Sequence, residues 1–281
     1  MIEPSSKTQG PSLFSAGPPV WALEPGHIRV WLWSLEAGRA LLARMSESLS
    51  GDERRRSSEL KFDVHQRRFV AARAGLRKIL ANVLGESPEA LVFSYSATGK
   101  PSLSDHEGPA GLRFNLSHSE DVAMLALSWG IEVGLDLEAE GESHPSWEMA
   151  LLTFNAVEID WLTEHSTTDF SRAFLELWTL KEAVLKAEGS GLASGSEKYS
   201  VIPGSSGCAR VLGHPDGLER EDWQARSFCP LEGFRAAIAW REHPGRSPQS
   251  MDRRISLQCL DWETSWEDSR RVKELMGSTL R

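Results

Sequence analysis

Ile131-Glu-Val-Gly-Leu-Asp-Leu-Glu138 is the stretch whose reading decides the fold. Its apolar run has strand character, and residues two apart leave the same face of a strand, so Asp136 and Glu138 project together. About 40 residues on, Trp178-Thr-Leu-Lys-Glu-Ala-Val-Leu-Lys186 has helical spacing, with Trp178, Glu182 and Lys186 at i, i+4 and i+8 along one stripe. Acids at the end of a buried strand demand a partner. Three acids that meet beside a lysine suit a hard divalent cation held against phosphate oxygens. The plainer readings are two acids facing water and a Glu182–Lys186 salt bridge worth a few tenths of a kcal/mol.

Upstream, Phe114-Asn-Leu-Ser-His-Ser119 puts small polar side chains and a histidine just after a strand-like run, where turn amides offer donors to phosphate. A lone histidine such as His118 reads equally as a hydrogen-bonded structural residue. Gly99-Lys100-Pro101 is a turn signal by composition. Residues 54–78 hold nine cations, Arg56 and Arg73 among them, in a chain of net charge −9. Such an island suits a multiply phosphorylated small molecule, or else it is a solvated helix face. The acidic balance argues against a nucleic-acid partner, because phosphate backbones need a basic field.

Taken in order, F-N-x-S-H-S, G-x-D-x-E and W-x-x-K-E-A-x-x-K-x-x-G-x-G-L resemble the signature of the Sfp-type 4′-phosphopantetheinyl transferases. The resemblance runs from about His27 to about Trp240. It implies an α+β fold, a pseudo-dimer of two similar helix-plus-antiparallel-sheet subdomains with the site between them. It also implies Mg2+ on Asp136, Glu138 and Glu182, with Asp136, Glu182 and Lys186 as the catalytic set. Glu182 is then a metal ligand, a general base, or both, and Lys186 neutralises pyrophosphate charge. Coenzyme A would meet Gly99, Lys100, Pro101, Asn115, Ser117, His118 and Lys186, with Arg56 and Arg73 near its 3′-phosphate. The activity implied is transfer of the 4′-phosphopantetheine arm of coenzyme A to a serine of an apo carrier protein, leaving adenosine 3′,5′-bisphosphate. Many relatives carry F-S/T-P-x-E before the second helix, whereas this chain has Phe154-Asn-Ala-Val-Glu158, without the proline.

The domain boundaries expected are a leader over 1–26, which holds five prolines, a first subdomain over 27–128, a second over 129–242, and an extension of unread role over 243–281. A strand is expected from His27, and a helix from Asp63, as its cap, to about Leu84, closed by Gly85. Strands follow near 91–95, 112–117, 122–128 and 131–138. Helical patterns at about 147–164 and 168–188 precede strands near 198–202, 208–212, 223–228 and 234–240. Three widely spaced cysteines suggest neither a disulfide framework nor a zinc site. With no run of 18 apolar residues, the expectation is a cytoplasmic monomer away from membranes.

Two rival classes remain. A non-catalytic module that binds coenzyme A or a carrier protein predicts decay of the acid set, yet Asp136, Glu138, Glu182 and Lys186 are all present. Another magnesium-dependent nucleotide enzyme lacks support, since neither a Walker-type G-x-x-x-x-G-K-[ST] nor a Rossmann fingerprint occurs.

Overall fold

A computed structural model describes residues 22–104, 111–141, 145–165, 169–190, 198–204, 207–213, 223–241 and 255–260. Most of the expected leader, the final 21 residues and Gly191 of the third motif lie outside the described residues.

The fold is α+β, built of four layers. Strands β1 (Ile28–Ser34), β4 (Leu112–Ser119), β5 (Val122–Trp129) and β11 (Ile255–Cys259) form one sheet, in the order β11-β1-β5-β4. A second sheet runs β6-β10-β9-β8-β7, from β6 (Glu132–Ala139), β7 (Tyr199–Pro203), β8 (Cys208–Gly213), β9 (Trp223–Phe228) and β10 (Phe234–Arg241). Strand alternation explains the stacking. Trp31, Trp33, Leu125 and Leu127 face helix α3 (Asp63–Leu84), while their neighbours Val30, Met124 and Ala126 face the second sheet. There they meet Val133, Leu135, Leu137 and Ile238, and on the far side Ala237 and Ala239 pack against helix α6 (Phe170–Glu188).

The long helices follow their sequence signals. α3 ends at Gly85, which has φ +73° and closes the helix in the left-handed region that glycine adopts freely. Its buried stripe includes Ala72, Leu76, Ile79 and Leu80. Asp63 is not the cap: Phe62 holds that place, and Asp63 lies in the first turn, 3.0 Å from Arg67. α6 is capped by the Asp169 side chain, which accepts from the amide of Arg172.

Several elements depart from the pattern read in the sequence. Short helices α1 (Arg39–Glu47) and α2 (Gly51–Glu59) precede α3. The pattern over 147–164 splits into α4 (Trp147–Thr153) and α5 (Ala156–His165), because Asn155 and Glu158 cap each other at 3.0 and 3.2 Å and start a new helix. From the region expected as an extension, β11 pairs parallel with β1, Ile28 opposite Ile255 through Leu32 opposite Cys259. A small hairpin, β2 (Phe93–Tyr95) with β3 (Pro101–Leu103), carries Gly99-Lys100-Pro101 at its turn.

Candidate active site

β4 lies beside β6 where the two sheets meet, and its side chains stitch the seam. Asn115 Oδ1 accepts the Leu135 amide at 2.8 Å, and Ser119 Oγ accepts the Ala139 amide at 3.1 Å. These side chains do for two amides of β6, those of Leu135 and Ala139, what a neighbouring strand would do, without a continuous sheet. Asn115 is thereby a buried structural bridge.

From β6, Gly134, Asp136 and Glu138 face α6. A Cβ on Gly134 would lie 2.0 Å from the Ala183 carbonyl oxygen and 2.3 Å from the Ala187 nitrogen, so the missing side chain lets the helix backbone press onto the strand. That contact brings the helical stripe to the acids. Lys186 Nζ lies 2.5 Å from Asp136 Oδ1 and 3.3 Å from Ser117 Oγ, and Ser117 donates to the same Asp136 oxygen at 3.2 Å. Trp178 Nε1 donates to Glu138 Oε1 and Ser119 Oγ to Glu138 Oε2, both at 3.3 Å.

The electrostatics are those of crowded acids. Burial, and then Asp136 beside it, push the Glu138 carboxyl above the usual carboxylate range, against the hydrogen bonds from Ser119 and Trp178. Burial also raises Glu182; Lys186 opposes this, and Asp136 and Glu138 add to it. The three sequence-predicted acids thus share one field. The His118 side chain reaches solvent, but partial burial, followed by Lys186 and Arg68, lowers its pKa and favours the neutral ring.

Asp136 is 3% exposed, and its Oδ2 is buried without a hydrogen-bond partner, which is costly unless a cation or donor meets it. Among the described residues no three His, Cys, Asp or Glu side chains are gathered into a ready metal cage. Magnesium asks for less: it is held by one or two carboxylates together with substrate phosphates and waters. An orphaned Asp136 oxygen beside desolvated Glu138 and Glu182 fits that donor set.

Gly99-Lys100-Pro101 is docked on the C-terminal end of α6. Thr98 Oγ1 donates to the Gly189 carbonyl at 2.6 Å, and Lys100 Nζ to the Ala187 carbonyl at 3.0 Å and to Glu132 at 3.1 Å. A hollow of about 140 Å³ opens here, between Lys100, Pro101, Arg113, Phe114 and Glu132. A larger one, about 430 Å³, lies between α1 and α3 at Arg44 and Lys78 and includes none of the predicted site residues.

The basic island divides. Arg73 and Arg77 turn inward onto the buried Glu53 at 2.5 and 2.6 Å, whereas Arg56 stays at the surface over the ring of Tyr95. Two residues escaped the sequence reading. Glu53 is the shared counter-ion of Arg73 and Arg77, and Lys181, fully buried, pairs with Glu158 at 2.5 Å, fixing α5 to α6. The signals available were an acid among nine cations and the retained glutamate of Phe154-Asn-Ala-Val-Glu158.

Residues 132–239 match the 4′-phosphopantetheinyl transferase superfamily, and residues 34–129 match the family of 4′-phosphopantetheinyl transferase N-terminal regions. The 4′-phosphopantetheinyl transferase HetI of a Nostoc species is 35% identical over 63% of this chain and 74% of its own length. The putative 4′-phosphopantetheinyl transferase slr0495 of a Synechocystis species is 30% identical, over 74% of this chain and 86% of its own. The human L-aminoadipate-semialdehyde dehydrogenase-phosphopantetheinyl transferase is 25% identical over 78% and 77%.

Proposed function

The chain belongs to the 4′-phosphopantetheinyl transferase superfamily, as a transferase of the holo-[carrier protein] synthase type, and from that premise we propose how its own residues carry the reaction. The substrates are coenzyme A and an apo carrier protein, and the serine hydroxyl of the carrier attacks the phosphorus that bears the pantetheine arm. The bond from that phosphorus to the bridging pyrophosphate oxygen breaks, and adenosine 3′,5′-bisphosphate leaves.

Asp136, Glu138 and Glu182 are the residues that would hold Mg2+, which supplies charge neutralisation for the pyrophosphate. Glu182 takes the serine proton, directly or through one water; burial raises its pKa above that of a free carboxylate, which strengthens it as a base. Lys186, anchored between Asp136 and Ser117, brings a positive charge to the leaving phosphate. Ser117, His118 and the Gly99-Lys100-Pro101 turn hold coenzyme A, while Asn115, bonded to the Leu135 amide, fixes β4 to β6. Arg56 and Lys100 supply positive charge at its nucleotide end, whereas Arg73 is paired with the buried Glu53.

The observation that carries this reading is the meeting of Lys186, Ser117 and an unpartnered Asp136 oxygen at one buried point. Incubation of the protein with apo carrier, coenzyme A and magnesium, read by intact mass, tests it. A mass gain of one phosphopantetheine on the carrier is expected, lost in excess chelator. A non-catalytic binding module would leave the carrier unmodified.

A further inference from the structure

Tyr95 stands at the end of β2, 48% exposed and outside every apolar cluster of the described residues. Its ring is nonetheless held. Arg73 donates to the hydroxyl at 3.3 Å, and the Arg56 guanidinium lies 6.0 Å from the ring centroid. Arg73 is fixed in turn by Glu53, which it shares with Arg77, and Arg77 donates to the carbonyls of Pro88 and Leu91 on the approach to β2. A buried charge network therefore ends in one orientated surface ring.

The ring is also tied to the reacting end of the site. Tyr95 pairs opposite Pro101, and the turn between them is fastened to α6 at Ala187 and Gly189, next to Lys186. A ligand whose phosphates meet Lys186 has this hairpin beside it. An aromatic face flanked by a guanidinium is the surface on which a nucleobase stacks, and stacking needs no particular hydrogen-bond pattern.

We propose that Tyr95 is the platform on which the adenine of coenzyme A stacks, and that Arg73 is a positioning residue acting through the Tyr95 hydroxyl. The inference rests on the reading of coenzyme A as substrate. Arg56, on the solvent side, is then free to meet a phosphate of the same nucleotide.

Calorimetry of the full chain with coenzyme A, adenosine 3′,5′-bisphosphate and 4′-phosphopantetheine tests it. Tyr95→Ala should raise the Kd of both adenine ligands by a common factor, roughly five- to hundredfold, and leave that of 4′-phosphopantetheine unchanged. Tyr95→Phe, which keeps the ring, should stay within about threefold of wild type. Arg73→Met should weaken coenzyme A and dephospho-coenzyme A equally, by no more than Tyr95→Phe does, and add little to either Tyr95→Ala or Tyr95→Phe. Unchanged adenine-ligand binding by a folded Tyr95→Ala protein, or a Tyr95→Phe loss as large as that of Tyr95→Ala, overturns the proposal. A wild-type protein that binds no coenzyme A removes the substrate reading itself, a result distinct from either.

Discussion

Gly134 and Ala183 are in such close backbone contact that a methyl group on Gly134 would sit 2.0 Å from the Ala183 carbonyl oxygen. The site depends on that contact, because Glu182 and Lys186 immediately precede the contacted residues Ala183 and Ala187 of α6 while Asp136 and Glu138 follow Gly134 on β6. Strand and helix arrive at one place because one residue has no side chain.

Gly134→Ala should therefore cost more than ordinary overpacking, at least about 1–3 kcal/mol, since the atoms it strikes are backbone. Thermal melting should show that loss, and turnover should fall even where the protein stays folded. A variant with wild-type melting and rate would mean that α6 shifts freely.

Asp136→Ala should leave a folded protein with activity reduced by several orders of magnitude, in line with several kcal/mol of lost charge stabilisation. Circular dichroism checks the fold and carrier modification the rate. Near-normal turnover would remove the metal assignment.

Glu182→Gln separates base from bystander. Burial and two neighbouring acids raise the Glu182 pKa, so the folded protein favours its protonated form. Its contribution to stability is then present at acid pH and lost as pH rises through the raised pKa. At neutral pH the Gln variant should melt no lower than wild type, while turnover collapses. The wild-type rate should fall as pH drops through the same pKa, because a base must be ionised. A surface salt bridge would instead give a small rate effect and under about 1 kcal/mol of stability.

Lys181→Met should destabilise by about 3–5 kcal/mol, since it strands Glu158 as an unpaired buried charge. Adding Glu158→Gln should recover part of that loss, because Gln keeps an acceptor for the Val201 amide that now bonds Glu158 at 2.9 Å. Denaturant titration of both variants measures the coupling.

Coenzyme A and dephospho-coenzyme A differ by one 3′-phosphate. If Arg56 or Lys100 meets it, its removal should weaken binding by about 1.5–3 kcal/mol, and the difference should shrink in Arg56→Ala or Lys100→Ala. Added salt should weaken coenzyme A more than its dephospho form. Equal calorimetric affinities would leave the 3′-phosphate in water.

Much of this was legible because local periodicity carried it. Strand-like apolar runs placed β4, β5, β6 and β10, and the i, i+4, i+8 stripe brought Trp178, Glu182 and Lys186 onto the side of α6 facing Asp136 and Glu138. What stayed hidden depended on distant partners. Nothing near Arg73 in the chain says that Glu53, 20 residues earlier, turns it inward. The helical pattern over 147–164 is continuous on apolar spacing, and only the mutual capping of Asn155 and Glu158 divides it. The pairing of β11 with β1 spans more than 200 residues, beyond any local signal.

That last pairing bears on how the chain is made. A ribosome releases β1 early, yet the strand that covers its outer edge emerges only after the whole second sheet has been synthesised. Until then β1 offers bare amides and carbonyls to any extended segment nearby, a hazard for nascent chains. Ending translation before Ile255 would leave that edge uncovered for good, so a truncated product should aggregate more readily than its small loss of length suggests.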